Sequence, residues 1–236
     1  MKLEYLYPEI GNLFGDSANF RYLRACLPEA EIVETPLGAE PCFVKDADVS
    51  FLYLGPMTER AQLLALEALR PHAGALKARL EAGMHGLFTG NAMELLGKTI
   101  AAGESTVNGL GLVELEAAQD IAHRYNGFFL GEADGVTITA FNSRFSNAKP
   151  GAGVTPFAQV KRGQGLNAAC AFEGYRIRNF IGTYLLGPLL VLNPLLTEKL
   201  LASLGFPGRR PVFYDEAMEA YRLRLQEFED KRRKLD

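Results

Sequence analysis

The sequence predicts an α/β fold with a mostly parallel central sheet and antiparallel additions. Three observations predict it. Strand-like and helix-like segments alternate from Met1 to Gly97, the order that builds right-handed βαβ crossovers. Val49 to Leu54 is apolar nearly throughout, which suits a strand covered on both faces. From Thr99 to Lys161 the segments become short, Gly-punctuated and rich in strand formers, which reads as hairpins.

Leu3 to Tyr7 reads as a first strand closed by Pro8, followed by the loop Asn12-Leu13-Phe14-Gly15-Asp16. Asp16 or Ser17 can cap the next helix, whose Phe20, Leu23 and Leu27 share a face before Pro28 ends it. Glu31 to Thr35 alternates as a strand. After Val49–Leu54, Gly55-Pro56 turns the chain, Thr58 can cap a helix to about Leu69, and Ala73 to Leu80 forms another. The middle contributes candidate strands at 112–115, 121–125, 136–141 and 157–161. Residues 176–185 read as a buried strand turned by Gly187-Pro188, 194–204 as a helix, and Pro211 opens a last helix to about Leu235. No repeat or low-complexity linker interrupts the chain, so residues 1–236 are expected to form one domain.

The stretch from His85 to Gly97 organises the rest. Its first half is a short apolar strand, and Met93, Leu95 and Leu96 have helix-compatible spacing up to Gly97. Thr89-Gly90-Asn91 is the tight turn between them. Strand, sharp turn and helix together lift one residue onto the end of a sheet, against a helix N-terminus. In an acyl-transfer enzyme that residue is the nucleophile. Here it is Gly90, which has no side chain.

Composition bounds the function. The chain has 236 residues, 48% hydrophobic and 22% charged, with net charge −3. That balance describes an ordinary globular protein with no electrostatic case for nucleic acid. No apolar run approaches the roughly 20 residues of a membrane helix, and Met-Lys-Leu-Glu-Tyr is not a signal peptide. Cys26, Cys42 and Cys170 form no CxxC pair. No disulfide framework, metal site or cofactor is expected, and a reducing cytoplasm is the expected location.

Several motifs occur in the order known from one family. They are Leu6-Tyr7-Pro8 with Asn12-Leu13-Phe14-Gly15-Asp16, the elbow with Leu95-Leu96-Gly97, then Phe172-Glu173-Gly174, Asn179, Gly182 to Leu190 and Asn193-Pro194. On these the chain resembles class I glutamine amidotransferase domains of the cobyric acid synthase (CobB/CobQ) type. It is most similar to the kind that pairs with a Mur-ligase-like partner to amidate lipid II. The resemblance implies a three-layer, flavodoxin-like fold, glutamine hydrolysis, and a Mur-ligase-like or synthase partner.

The departures from that family fall on its chemistry. Gly90 stands at the cysteine nucleophile's position and Leu186 at the histidine's. Glu94 stands at a glutamine. Leu54-Gly55-Pro56 matches the glycine triplet whose backbone N–H helps hold the oxyanion, and proline has none to donate. Phe141-Asn142-Ser143-Arg144 replaces a Glu-Asn-His loop. Glutamine hydrolysis needs a thiolate, a base to shuttle its proton, and N–H donors to the oxyanion. Losing nucleophile and base together costs about 10⁶ in kcat in a comparable hydrolase. A catalytically degenerate homologue with a ligand-binding, scaffolding or regulatory role is therefore expected, and no catalytic residue.

The alternative is an active amidotransferase in cobalamin or cell-wall precursor amidation with a relocated nucleophile; a third reading is transfer chemistry through Thr89, Asn91 or Glu94. A threonine without a base is a poor nucleophile, and a lone cysteine is usually a small buried hydrophobe. His85 falls at the start of its strand, and His72 and His123 read as surface residues. Two states of the old pocket are open. Gly55, Thr89, Gly90, Asn91, Glu94 and Arg144 can form a site for a small acidic ligand, or Leu186 fills it. Tyr221, Leu225 and Phe228 mark either a helix packed on its own domain or a partner surface.

Overall fold

The computed structural model describes residues 1–230. Two apolar clusters sandwich a nine-stranded sheet and divide the side chains of successive strand residues between them. The strands are β1 (Lys2–Leu6), β2 (Glu31–Thr35), β3 (Val49–Leu54), β4 (His85–Thr89), β5 (Thr99–Ala102), β6 (Ser105–Asn108), β7 (Leu115–Gln119), β8 (Tyr125–Ala133), β9 (Val136–Arg144), β10 (Ser146–Pro150), β11 (Thr155–Arg162), β12 (Phe172–Ile177) and β13 (Phe180–Thr183). The helices are α1 (Ala18–Cys26), α2 (Glu59–Leu69), α3 (Ala73–Glu81), α4 (Leu189–Leu192), α5 (Pro194–Ser203) and α6 (Tyr214–Glu229).

The main sheet has the order β2-β1-β3-β4-β13-β12-β11-β8-β9. Pairing is parallel from β2 through β13 and antiparallel from β13 through β9. The sheet is thus mixed, with its parallel part at one side. Leu52, Leu54 and Phe88 meet Leu66, Leu69, Leu76 and Leu80 of α2 and α3 on one face. Phe51, Tyr53 and Leu87 meet Phe20 and Leu23 of α1 and Leu189, Leu196 and Leu201 of α4 and α5 on the other. Burial on both faces is why β3 reads as a continuous apolar run.

Thr58 caps α2 as expected, its Oγ1 accepting from Ala61 N–H at 3.2 Å. The cap expected of Asp16 or Ser17 does not form. Ser17 has helical backbone angles and no capping bond, and the Asp16 carboxylate turns inward to Tyr53 and Thr89.

The middle differs most from the sequence reading. Strand β7 begins only at Leu115, because the N–H groups of Leu112 and Val113 both bond to Leu96 O. Residues 121–124 are a turn, exposed on the surface, and the strand starts at Tyr125. Strands β5, β6 and β10 were not expected; with β7 they form a second sheet, ordered β10-β7-β5-β6. The β5–β6 hairpin turns at Gly103-Glu104, with Gly103 at φ +60°. The expected strand 176–185 is two strands. Arg178, at φ +53°, reverses the chain between β12 and β13, and Asn179 anchors that turn to Gly83 O at 2.8 Å.

The last helix starts at Tyr214 rather than Pro211 and packs on its own sheet. Tyr221 and Phe228 are buried, and the Tyr221 hydroxyl donates to Thr137 O of β9 at 2.6 Å. The basic run 231–234 lies outside the described residues. Among the described residues, no helix is long and apolar enough to cross a membrane.

Candidate functional site

Strand β4 ends at Thr89, and the chain turns at Gly90 with φ +57°. That left-handed geometry keeps the strained character of a nucleophile elbow. The following segment, Gly90–Leu96, is a seven-residue 3₁₀ helix rather than the expected α-helix. Residues 92–96 are all buried, so the segment has no solvent face, and it ends at once in the Gly97 turn.

The tip is filled. A Cβ built on Gly90 would lie 2.6 Å from Pro56 Cβ and 3.6 Å from Leu186 Cδ2. The first distance is a collision; the second is ordinary contact. Positions 90 and 186 therefore face one another, with Pro56 wedged above the glycine. Leu186 is buried, and its segment is pinned to β9 by two backbone bonds, Leu186 N–H to Phe141 O at 2.9 Å and Phe141 N–H to Leu186 O at 3.2 Å.

The other expected site residues have specific places. Both ends of the Asn91 side-chain amide hold the backbone of Met57: Oδ1 accepts its N–H at 3.0 Å and Nδ2 donates to its carbonyl at 2.8 Å. Gly55 backs onto the Tyr7–Asn12 loop, where a Cβ would lie 2.3 Å from Gly11 O. Glu94 is fully buried and accepts from Gln62 Nε2 at 2.7 Å and from the Tyr184 hydroxyl at 2.9 Å. Burial pushes its carboxyl up, and those donors together with the Arg144 charge oppose the rise. Arg144 is buried at the end of β9. Its guanidinium donates to Asn142 Oδ1 at 3.2 Å and Gly165 O at 2.6 Å, and lies 4.2 Å from the Tyr184 ring centroid. Glu173, also pushed up by burial, accepts from Thr183 Oγ1 and from Tyr184 N–H.

Thr89 is fully buried, with its hydroxyl donating to Asp16 Oδ2. A hydroxyl beside a proton acceptor is thus present under the elbow. Tyr53 donates to the same Oδ2 at 2.9 Å, while Asp16 Oδ1 has no partner among the described residues. Burial pushes the Asp16 carboxyl up to about 6, against the lowering effect of these hydrogen bonds.

A cleft of about 190 Å³ remains above the elbow, lined by Leu13, Phe14, Pro56, Met57, Gly90, Asn91, Arg124 and Arg144 among others. Thr89, Glu94 and Gly55 do not reach it. Arg124, which the sequence did not single out, stands at its wall between the rings of Phe14 (5.5 Å) and Phe145 (5.1 Å). Nothing local marks Arg124, since its role depends on two aromatics distant in sequence. Asp16 did carry a signal, as an acid after a Gly-containing loop, but that pattern equally suits a helix cap.

The layered mixed sheet with an elbow after its fourth strand defines a glutamine-amidotransferase type of α/β protein. The chain belongs to the CobB/CobQ-like glutamine amidotransferase domain family, whose model matches residues 4–193. It is 29% identical over 198 residues to the lipid II isoglutaminyl synthase (glutamine-hydrolyzing) subunit GatD of Staphylococcus aureus (strain N315), covering 83% of this chain and 78% of that protein. Among solved structures, a glutamine amidotransferase superposes with TM-score 0.56 at 15% identity, over 86% of this chain and 99% of that one. PurLQS from Thermotoga maritima superposes with TM-score 0.53 at 14% identity, over 95% and 100%. These two likenesses concern the fold.

Proposed function

We propose that this chain is a catalytically degenerate amidotransferase homologue: a ligand-binding, scaffolding or regulatory subunit, without glutaminase activity, beside a ligase-like or synthase partner. One observation carries the reading. The space a cysteine side chain would need at position 90 is taken by Pro56, and the facing position holds Leu186. With neither thiol nor imidazole, the elbow has no group to attack an amide and none to protonate leaving ammonia. The partner is inferred from the relative, which is named as a subunit of a synthase. A single domain over residues 1–236 is supported by the main sheet, which draws strands from Lys2 to Thr183, with α6 packed back on it. The three free cysteines suit a reducing cytoplasm.

The cleft beside Arg144, Asn91 and Gly90 is the place for a small acidic ligand in this reading. Arg124, held over two aromatic rings, adds a second cation there, and the two cations suit a compact anion such as an amino-acid carboxylate. The test is an assay for ammonia and glutamate release from glutamine, with the protein alone and with any copurifying ligase. The expected result is no release above background.

A second reading has one observation in its favour. The Thr89–Asp16 hydrogen bond pairs a hydroxyl with a carboxylate, as an active enzyme with a relocated nucleophile would need. Against it, Thr89 is fully buried and outside the cleft, where no substrate carbonyl can approach. Glutaminase activity abolished by Thr89→Val would establish this reading over the first.

A further inference from the structure

A second cavity, of about 240 Å³, lies at the opposite end of β4 from the elbow. Leu87 of β4 and Ile181 of β13 form part of its floor, and Leu196 and Leu200 of α5 part of its roof. The leucine-lined part of this cleft forgoes dispersion contacts that an apolar group entering it regains.

The mouth is polar and carries positive charge. His85, Asp134, Arg176 and Lys199 line the cavity. Arg176 is neutralised by its ion pair with Asp134. Lys199 is exposed, and among the described residues no carboxylate pairs with it. One unpaired ammonium therefore stands at the entrance to an apolar chamber.

The histidine at this mouth is not a base for a serine nucleophile. Ser203 Oγ spends its proton on Leu200 O at 2.8 Å, so it accepts from His85 Nε2–H at 3.1 Å. That direction is opposite to the one nucleophile activation requires. Burial holds the imidazole below its ordinary range. The geometry supports binding rather than chemistry.

We propose that this cavity binds a small amphiphile with one carboxylate and a short unbranched apolar tail, the carboxylate on Lys199 and the tail between the α5 leucines and the β4–β13 floor. Hexanoate is the probe. Titrated into the full-length protein by calorimetry, it is expected to bind saturably with Kd on the order of 1 mM, as suits so small a ligand. Hexylammonium is expected not to bind. Lys199→Glu, at an exposed position, is expected to weaken hexanoate by about tenfold or more and to admit hexylammonium. Leu200→Trp, which narrows the chamber at a half-buried position, is expected to abolish both while leaving the unfolding midpoint near that of the unmodified chain. Absence of saturable hexanoate binding overturns the proposal. So does equal binding of hexanoate and hexylammonium, or hexanoate binding unchanged in both variants.

Discussion

Pro56 occupies the room that any side chain on Gly90 would need. The two residues lie 34 positions apart, and the β carbon missing from one would sit 2.6 Å from the β carbon of the other. Proline at 56 also has no backbone N–H to offer the cleft above the elbow. One residue thus fills the space over the elbow tip and brings no N–H donor to it.

Gly90→Ala is expected to destabilise the protein by about 2–4 kcal/mol, combining collision with the strain of a left-handed non-glycine residue. Pro56→Gly in the same chain is expected to recover at least about 1 kcal/mol of that loss, a coupling expected of residues in contact. Urea denaturation of the four members of the cycle measures it. Additive effects would mean that the wedge does not exist.

Asn91 ties the loop after β3 to the elbow through a reciprocal pair of bonds with Met57. Asn91→Ala leaves both backbone groups without those partners, at a cost of about 1–3 kcal/mol. Hydrogen exchange at the Met57 amide should accelerate markedly, while exchange in the α1 core stays unchanged. Equal exchange at Met57 in both proteins would count against this role.

Asp16 makes stability depend on pH in a defined direction. Its carboxyl titrates at about 6 in the folded chain against an ordinary value of 3.8. The folded state therefore holds this proton more tightly than the unfolded chain does. Stability from this group is full below about pH 4, falls as pH rises through about 6, and is level above that. Asp16→Asn has no such proton, so its stability relative to the unmodified chain should improve by about 3 kcal/mol at most between those limits. Denaturant titrations at several pH values test the slope, and parallel profiles would contradict it.

Arg144 is the cation beside two buried carboxyls that burial pushes up, Glu94 and Glu173. Arg144→Met leaves them without that charge, a loss of about 3 kcal/mol at pH 7. The penalty should shrink at lower pH, where both groups take up protons and need no compensation. A deficit that grew on acidification would refute the assignment.

How much of this was readable in the sequence depended on range. Val49–Leu54 and Glu31–Thr35 announced themselves because their patterns are local, and Thr58 because a cap and its donor N–H lie within four residues. Thr99–Ala102 and Ser146–Pro150 did not, since the first is only four residues long and the second has no branched or aromatic residue; their partners supply the order. Asn179 in the run 176–185 did carry a turn signal, but the apolar residues around it favoured one longer strand. At the site, the bare tip was legible from the elbow pattern, and the leucine opposite only through the family resemblance. The wedge at Pro56 and the stacked Arg124 were not, because each depends on residues brought together only by the folded sheet.

The backbone bridge between Phe141 and Leu186 holds the segment after β13 in a fixed posture against β9. Because that posture does not depend on what residue 186 carries, what distinguishes this centre resides in side chains and not in the path of the chain. Three positions, 56, 90 and 186, separate it from a frame with room for sulfur opposite an imidazole. For a protein engineer the fold is a housing that can be rewired at those three positions.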